Sequence, residues 1–161
     1  MMTKVRTIAT ALALSAAGLV GILGFEGFEP VAKPPVVGDV PTYGYGTTTH
    51  VDGSPVKAGE KITPPKAIER ALQDVQKYEG ALKQCVKVPL HQYEYDAFVS
   101  LAYNIGPHAF CKSTLAKKLN AGDYVGACRE ILKWDRFKGK PLRGLTVRRQ
   151  AEYRMCMGEA S

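Results

Sequence analysis

The 161-residue chain has one tryptophan, three histidines and four cysteines, and these scarcities exclude several chemistries. His50, His91 and His108 are too scattered for a metal site or a nucleophile–base triad, and surface positions are expected for all three. No CxxC occurs among Cys85, Cys111, Cys128 and Cys156, and the histidines are scattered, so a zinc site is not expected. In an exported chain these cysteines would form two disulfides; in a cytosol they would be four buried thiols. Three pairings are possible, and Cys85–Cys111 with Cys128–Cys156 is favoured over the other two. Internal repeats and low-complexity tracts are absent. With 45% hydrophobic and 23% charged residues, wholesale disorder is also excluded.

Acid is scarce toward the C-terminus. Lys112 to Arg154 contains twelve Lys/Arg but only Asp123, Glu130, Asp135 and Glu152 as acids, within a net charge of +7. Such a lobe is attracted to polyanions, whether nucleic acid, anionic lipid or a bacterial envelope, or is simply a solvated surface. Charge alone does not choose.

A strongly apolar run is missing as well. Thr7–Phe25 carries no charge, follows Lys4 and Arg6, and ends at Glu26. As a continuous helix its nineteen residues would span about 28 Å, close to a bilayer's hydrocarbon core. Positive charge ahead of it would keep its start cytoplasmic and send the rest outward. Five alanines, three glycines, Thr7, Thr10 and Ser15 nevertheless dilute its Leu, Ile and Val. A cleaved signal peptide, a permanent anchor and a segment that inserts and later escapes (signal-arrest-release) are the three readings. Marginal hydrophobicity favours the third. The expected division is a membrane segment at 1–25 and a catalytic domain at 26–161.

Residues 30–62 are rich in Pro, Gly, Val, Thr and Tyr. Short β-prone runs at Thr42–Tyr45, His50–Val51 and Val56–Lys57 predict a small antiparallel sheet. The period then becomes helical. Thr63 caps a helix opened by Pro64 and Pro65, with Ile68, Leu72, Val75 and Leu82 inward. A second helix runs from Pro89, with Leu90, Tyr93, Ala97, Phe98, Leu101, Ala102 and Ile105 toward the core. Ser113 caps a short helix through Leu119. Asp123 caps the next, with Val125, Cys128, Ile131 and Leu132 inward, and Thr146 caps a last helix that ends at Gly158. The predicted fold class is α+β, a mainly helical lobe with a small antiparallel sheet.

Glycoside hydrolysis needs a carboxylic acid to protonate the leaving oxygen and commonly a second carboxylate facing it. Glu26 closes the apolar run, where low-dielectric surroundings favour a protonated acid, whereas Asp39 in a polar loop stays ionised. Several ordered motifs extend this constellation: Phe25-Glu26-Gly27, the stretch Val40-Pro41-Thr42-Tyr43-Gly44-Tyr45-Gly46-Thr47, the run FVSLAYNIGPHAFCKSTLAKKLNAGDY, and Trp134 followed by PLRGLTVRRQAEYRMCMG. From about Ile22 to Gly158 the chain resembles glycoside hydrolase family 24, the phage lysozyme or endolysin family, with a lysozyme-like fold.

The resemblance implies cleavage of the β-1,4 bond between N-acetylmuramic acid and N-acetylglucosamine in peptidoglycan, without cofactor or metal. The family's pattern is a Glu, eight residues, an Asp, five residues, then a Thr. Glu26 and Thr42 match its ends, but the Asp position holds Pro35 and the interval is one residue longer. Asp39 is therefore expected to supply the base from a rebuilt loop; Glu29 is a weaker alternative acid, lacking the following Gly. Tyr45, Thr47 and Asn104 are candidate substrate contacts, each with a structural alternative. Trp134 is expected in the core, and the Arg148-Arg149 pair either binds the envelope or pairs with Glu152. The expected protein is a monomer that does not bind nucleic acid. It acts in the host periplasm after tethering to the inner membrane through its N-terminal segment. A lytic transglycosylase and a non-catalytic wall-binding protein are the rival readings.

Overall fold

A computed structural model describes residues 5–159. Its Cα packing separates two compact units, one of Val20–Gln76 and one made of the chain up to Leu19 together with Lys77 onward. The architecture is α+β, as the sequence predicts, with short antiparallel strand pairs among the helices.

The Thr7–Phe25 run is not one helix. It comprises β1 (Thr7–Ile8), a 3-10 turn (Ala9–Ala11) and helix α1 (Ala16–Glu26). Two carboxylates interrupt it: Glu79 accepts the Leu14 backbone N–H at 2.7 Å, and Asp96 accepts that of Ser15 at 3.0 Å. Helix α1 starts only beyond those bonds. Among the described residues no helix is long and apolar enough to cross a membrane. Lys4 lies outside the described residues.

In the smaller unit, β2 (Glu29–Lys33) pairs antiparallel with β3 (Thr42–Gly44). Of the three runs expected to be strands, only the first forms one; the other two are reduced to an isolated Thr49–Pro55 bridge and its flanks. The true partner of β3 is Glu29–Lys33, where Pro30 hides the β signal. Ala32, Tyr43 and Val56, with Ile62 against them, form the small core. Helix α2 (Pro64–Cys85) begins in this unit behind Thr63, whose carbonyl accepts the Ala67 N–H. Its buried stripe is Ala67, Ala71, Val75 and Leu82, whereas Ile68 and Leu72 are 38% and 42% exposed, contrary to expectation. The cause is close packing: a Cβ on Gly44 would stand 3.1 Å from that of Ala67, leaving room there only for alanine.

The larger unit is built around α3 (Gln92–Ile105), which is buried continuously from Glu94 to Ala102. Strand β4 (Pro89–Leu90) pairs with β1. Helices α4 (Pro107–Lys112), α5 (Thr114–Asn120, capped by Ser113) and α6 (Tyr124–Ile131, capped by Asp123) follow. On α6 the inward residues are Ala127, Cys128 and Ile131; Val125 and Leu132 turn out toward solvent, again contrary to expectation. The Cys128–Cys156 disulfide fixes which face of α6 is covered, and Cys85 pairs with Cys111. A two-residue hairpin joins β5 (Arg136–Phe137) to β6 (Lys140–Pro141), with Lys138 and Gly139 at φ 49° and 78°. It leads directly into α7 (Arg143–Cys156). That helix therefore starts before Thr146, whose predicted cap role is not realised. Its hydroxyl instead donates to Asp135 Oδ2 at 3.2 Å from within the first turn. Trp134 is half-buried rather than enclosed.

Candidate active site

Glu26 is the last residue of α1, and Gly27 turns the chain immediately after it at φ 70°. Such a turn is open to glycine at no steric cost. Thr42 opens β3, and the loop Gly44-Tyr45-Gly46 is closed by paired backbone bonds between Tyr43 and Thr47 of 3.1 and 3.0 Å. This tight return brings Gly46 beneath Glu26. A Cβ on Gly46 would stand 3.1 Å from Glu26 Oε2, and φ at Gly46 is 86°. The glycine-rich motif thus serves two ends at once, a left-handed turn and close approach of a carboxylate.

The flank is only partly apolar. Phe25 and Phe28 on either side of Glu26 are 37% and 38% exposed, and Glu26 itself is half-buried. The helix tip is less enclosed than its apolar sequence suggests, because both aromatic rings also face solvent. Phe28 and Tyr45 approach with ring centroids 5.7 Å apart.

Asp39 lies in the same unit, on the exposed stretch between β2 and β3, with its backbone N–H bonded to Val36 at 3.0 Å. Thr42 is half-buried. Thr47 is buried, and its hydroxyl donates to Asp74 Oδ2 at 3.2 Å, while Arg70 holds Asp74 Oδ1 at 3.0 Å. That Thr47–Asp74–Arg70 chain fastens the glycine loop to α2. The i, i+4 spacing of Arg70 and Asp74 is its only signal in the sequence. Asn104 belongs to the other unit, where its Oδ1 accepts from Arg149 Nη2. The structure therefore brings Glu26, Gly46, Tyr45 and Thr47 into one unit with Asp39 and Thr42, and places Asn104 elsewhere in the chain's packing.

One further group was not legible beforehand, and one pair of alternatives is decided. His50 Nδ1 lies 3.4 Å from the Tyr43 hydroxyl and Nε2 2.9 Å from Glu60, joining the strand region to the loop before α2. Burial pushes the Tyr43 phenol above its ordinary value. Arg148 and Arg149 are buried against Glu152 rather than presented to an envelope.

The sequence matches the family described as phage lysozyme over residues 23–152. An endolysin of Acyrthosiphon pisum secondary endosymbiont phage 1 is 43% identical over 143 residues, covering 86% of this chain and 94% of its own. The SAR-endolysin of Pseudomonas phage phiKMV is 33% identical over 150 residues, 91% of this chain and 89% of its own. The solved structure of an endolysin from Escherichia coli O157:H7 phage FAHEc1 aligns with TM-score 0.81 at 41% identity, over 91% of this chain and 94% of that one.

Proposed function

The chain belongs to the phage lysozyme family, and from that membership we propose that it is an endolysin of the glycoside hydrolase family 24 kind. It is a lysozyme-type glycosidase acting on peptidoglycan, at the β-1,4 bond between N-acetylmuramic acid and N-acetylglucosamine, and its action lyses the host cell. The observation that carries the reading is the Glu26 carboxylate standing over the Gly46 turn at the end of an apolar helix.

Glu26 donates a proton to the glycosidic oxygen as the C–O bond breaks. Asp39, from its displaced position in the loop, accepts a proton from a water that attacks the anomeric carbon from the opposite face, and Thr42 orients that water by hydrogen bonding. One water is consumed, and the new hydroxyl lies on the inverted face of the sugar. Inversion requires carboxyl groups about 6.5–9.5 Å apart, enough to admit the water. Exposure of the Asp39 loop fits a residue that must meet substrate and water together. Tyr45 contacts sugar in this reading, and its ring next to that of Phe28 supports that role.

Residues 1–25 act as a signal-arrest-release segment, holding the enzyme at the inner membrane until it enters the periplasm. Relatives named SAR-endolysin and the weakly apolar composition of Thr7–Phe25 support this part. Residues 26–161 form the catalytic domain, working as a monomer without cofactor.

Asp39→Asn should lower hydrolysis of purified cell walls by about 100-fold or more, the scale of a lost general base. Mass spectrometry of the wild-type digest should show reducing muramic acid ends. Retained activity in Asp39→Asn with 1,6-anhydro ends would instead make the enzyme a lytic transglycosylase, which needs no base.

Gly46→Ala meets two penalties, a left-handed backbone and an oxygen at 3.1 Å. The backbone cost is about 1–3 kcal/mol. The crowding falls on Glu26, so turnover should drop at least about tenfold, since small misplacements of reacting groups are expensive. Wall-clearing rates compared with thermal melts will show this. A melt shift without rate loss would mean that the Glu26 position tolerates the added methyl group.

A further inference from the structure

Positive charge is concentrated late in the chain, and the tertiary structure divides it. Of the twelve Lys/Arg between residues 112 and 154, Lys118 and Lys133 meet the buried Glu130 at 2.6 and 2.8 Å, and Arg148 and Arg149 meet the buried Glu152. Lys112, Lys117, Arg129 and Arg154 are dispersed over α4 to α7, one to each helix. The other four, Arg136, Lys138, Lys140 and Arg143, fall within residues 136–144, nine consecutive exposed positions that include no acid. Among the described residues none of these four has a carboxylate partner. The neighbouring acid in sequence, Asp135, is engaged by the Thr146 hydroxyl at 3.2 Å.

The same segment carries apolar side chains that lie open. Phe137 is 45% and Leu142 50% exposed, and Val147, one helical turn past Arg143, is 57% exposed. Strand register sets Phe137 opposite Lys140 and Arg136 opposite Pro141, so Phe137 and Lys140 share one face of the ribbon. Lys138 Nζ lies 5.3 Å from the centre of the Phe137 ring. The ring is therefore accompanied by two ammonium groups on flexible stems. Lys138 also occupies its turn at φ 49°, a left-handed position that glycine or asparagine fills at less cost. A lysine kept there against local preference points to a use for its charge.

We propose that the β5–β6 hairpin and the start of α7 form a docking surface for an anionic phospholipid bilayer. Phe137 and Leu142 enter the boundary between headgroups and acyl chains, while the lysine and arginine heads stay at the lipid phosphates. Charge complementarity and exposed apolar groups both select this partner. An acidic peptide would use the cations and leave Phe137, Leu142 and Val147 without a role. A nucleic-acid strand could stack a base on Phe137 but not on the two aliphatic side chains. The contact lies on a membrane surface and spans nothing, so it is separate from any insertion of residues 1–25. It also requires no catalysis and stands apart from the glycosidase reading.

The full chain carrying Phe137→Trp tests this, because the variant keeps an aromatic ring at the turn and makes it a fluorescent probe. Trp134, half-buried, is the one native tryptophan and supplies the background. The added emission should shift to the blue and be quenched on vesicles of brominated phosphatidylglycerol, with no change on brominated phosphatidylcholine. Reading this indole rather than sedimentation keeps residues 1–25 from supplying the signal. Each Lys or Arg close to an anionic leaflet strengthens binding about fivefold. Adding Lys140→Gln should therefore weaken vesicle binding about fivefold, and adding Arg143→Gln as well about 25-fold. Lys138→Gly separates folding from docking: it relieves the left-handed turn and should melt no lower than its parent, yet bind about fivefold more weakly. An indole unaffected by phosphatidylglycerol would overturn the proposal. Equal quenching on both lipids would remove the cations from the contact, and undiminished binding by Lys138→Gly would deny the turn lysine its part. Retention of the chain on lipid-free cell walls that Lys140→Gln weakens, with no response to vesicles, would assign the hairpin to the wall instead.

Discussion

Glu26→Gln should lower the rate of wall hydrolysis by about 10²- to 10⁴-fold, the range a positioned general acid supplies. Glutamine has nearly the shape of glutamate but no acidic proton, so the leaving sugar oxygen must depart as an alkoxide. Because α1 ends at this residue and the Gly46 turn lies directly beneath it, the amide can occupy the same place. The melting temperature should therefore stay within a few degrees of wild type. The loss should appear mainly in kcat, since the proton is transferred only as the bond breaks. Wild-type clearing of cell walls by Glu26→Gln would remove Glu26 from the acid role and return Glu29 to consideration. Glu29 is tied to Lys33 at 2.6 Å, and that hydrogen bond holds its carboxyl below the ordinary value. A carboxyl that gives up its proton more readily is a poorer reservoir for the leaving group at neutral pH, which adds to the case for Glu26.

The second large effect concerns stability. Glu152 is fully buried and receives Arg148 Nε at 3.0 Å, Arg149 Nη1 at 2.8 Å and the Ser100 hydroxyl at 2.7 Å. Arg148 also reaches the Ser100 carbonyl at 3.2 Å, and Arg149 reaches Asn104. Two guanidiniums and one carboxylate therefore share a water-poor site between α3 and α7. Glu152→Gln removes the anion that both guanidiniums share and puts a neutral amide in its place. Breaking a buried pair in this way costs about 3–5 kcal/mol. For a chain of this size each kcal/mol lowers Tm by about 2–4 °C, so a fall of roughly 6–20 °C is expected by calorimetry. A shift under about 2 °C would mean that the two arginines find other anions or water. Activity at low temperature should survive, since Glu152 belongs to the frame and not to the glycine loop.

Legibility was uneven, and the unevenness has causes. Motifs confined to a few neighbouring residues were readable: Ser113 and Asp123 cap their helices as expected. Helix faces were read less well. Val75, Leu82, Cys128 and Ile131 are inside as predicted, yet Ala67, Ala71 and Ala127 are buried while Ile68, Leu72 and Val125 face out. Hydropathy weighs side chains by size, but a close backbone approach such as Gly44 on Ala67 selects small ones. Thr47 invited a substrate role because it follows the glycine motif, and nothing nearby in sequence points to Asp74 as the acceptor of its hydroxyl.

The amino-acid order alone determined what short-range forces can enforce: where helices start, where glycine must turn the chain, and that a glutamate closes the first apolar run. Membership in a lysozyme family was legible for the same reason, since its motifs are local. Tertiary structure alone decided which distant groups neutralise one another. Arg6 meets Glu94 across 88 positions, Ser15 meets Asp96 across 81, and Ser100 meets Glu152 across 52. Buried charges must find partners wherever folding brings them. Chain spacing carries no trace of that requirement, so the same nineteen uncharged residues that suit a bilayer can also fold as strand, turn and helix against Glu79 and Asp96.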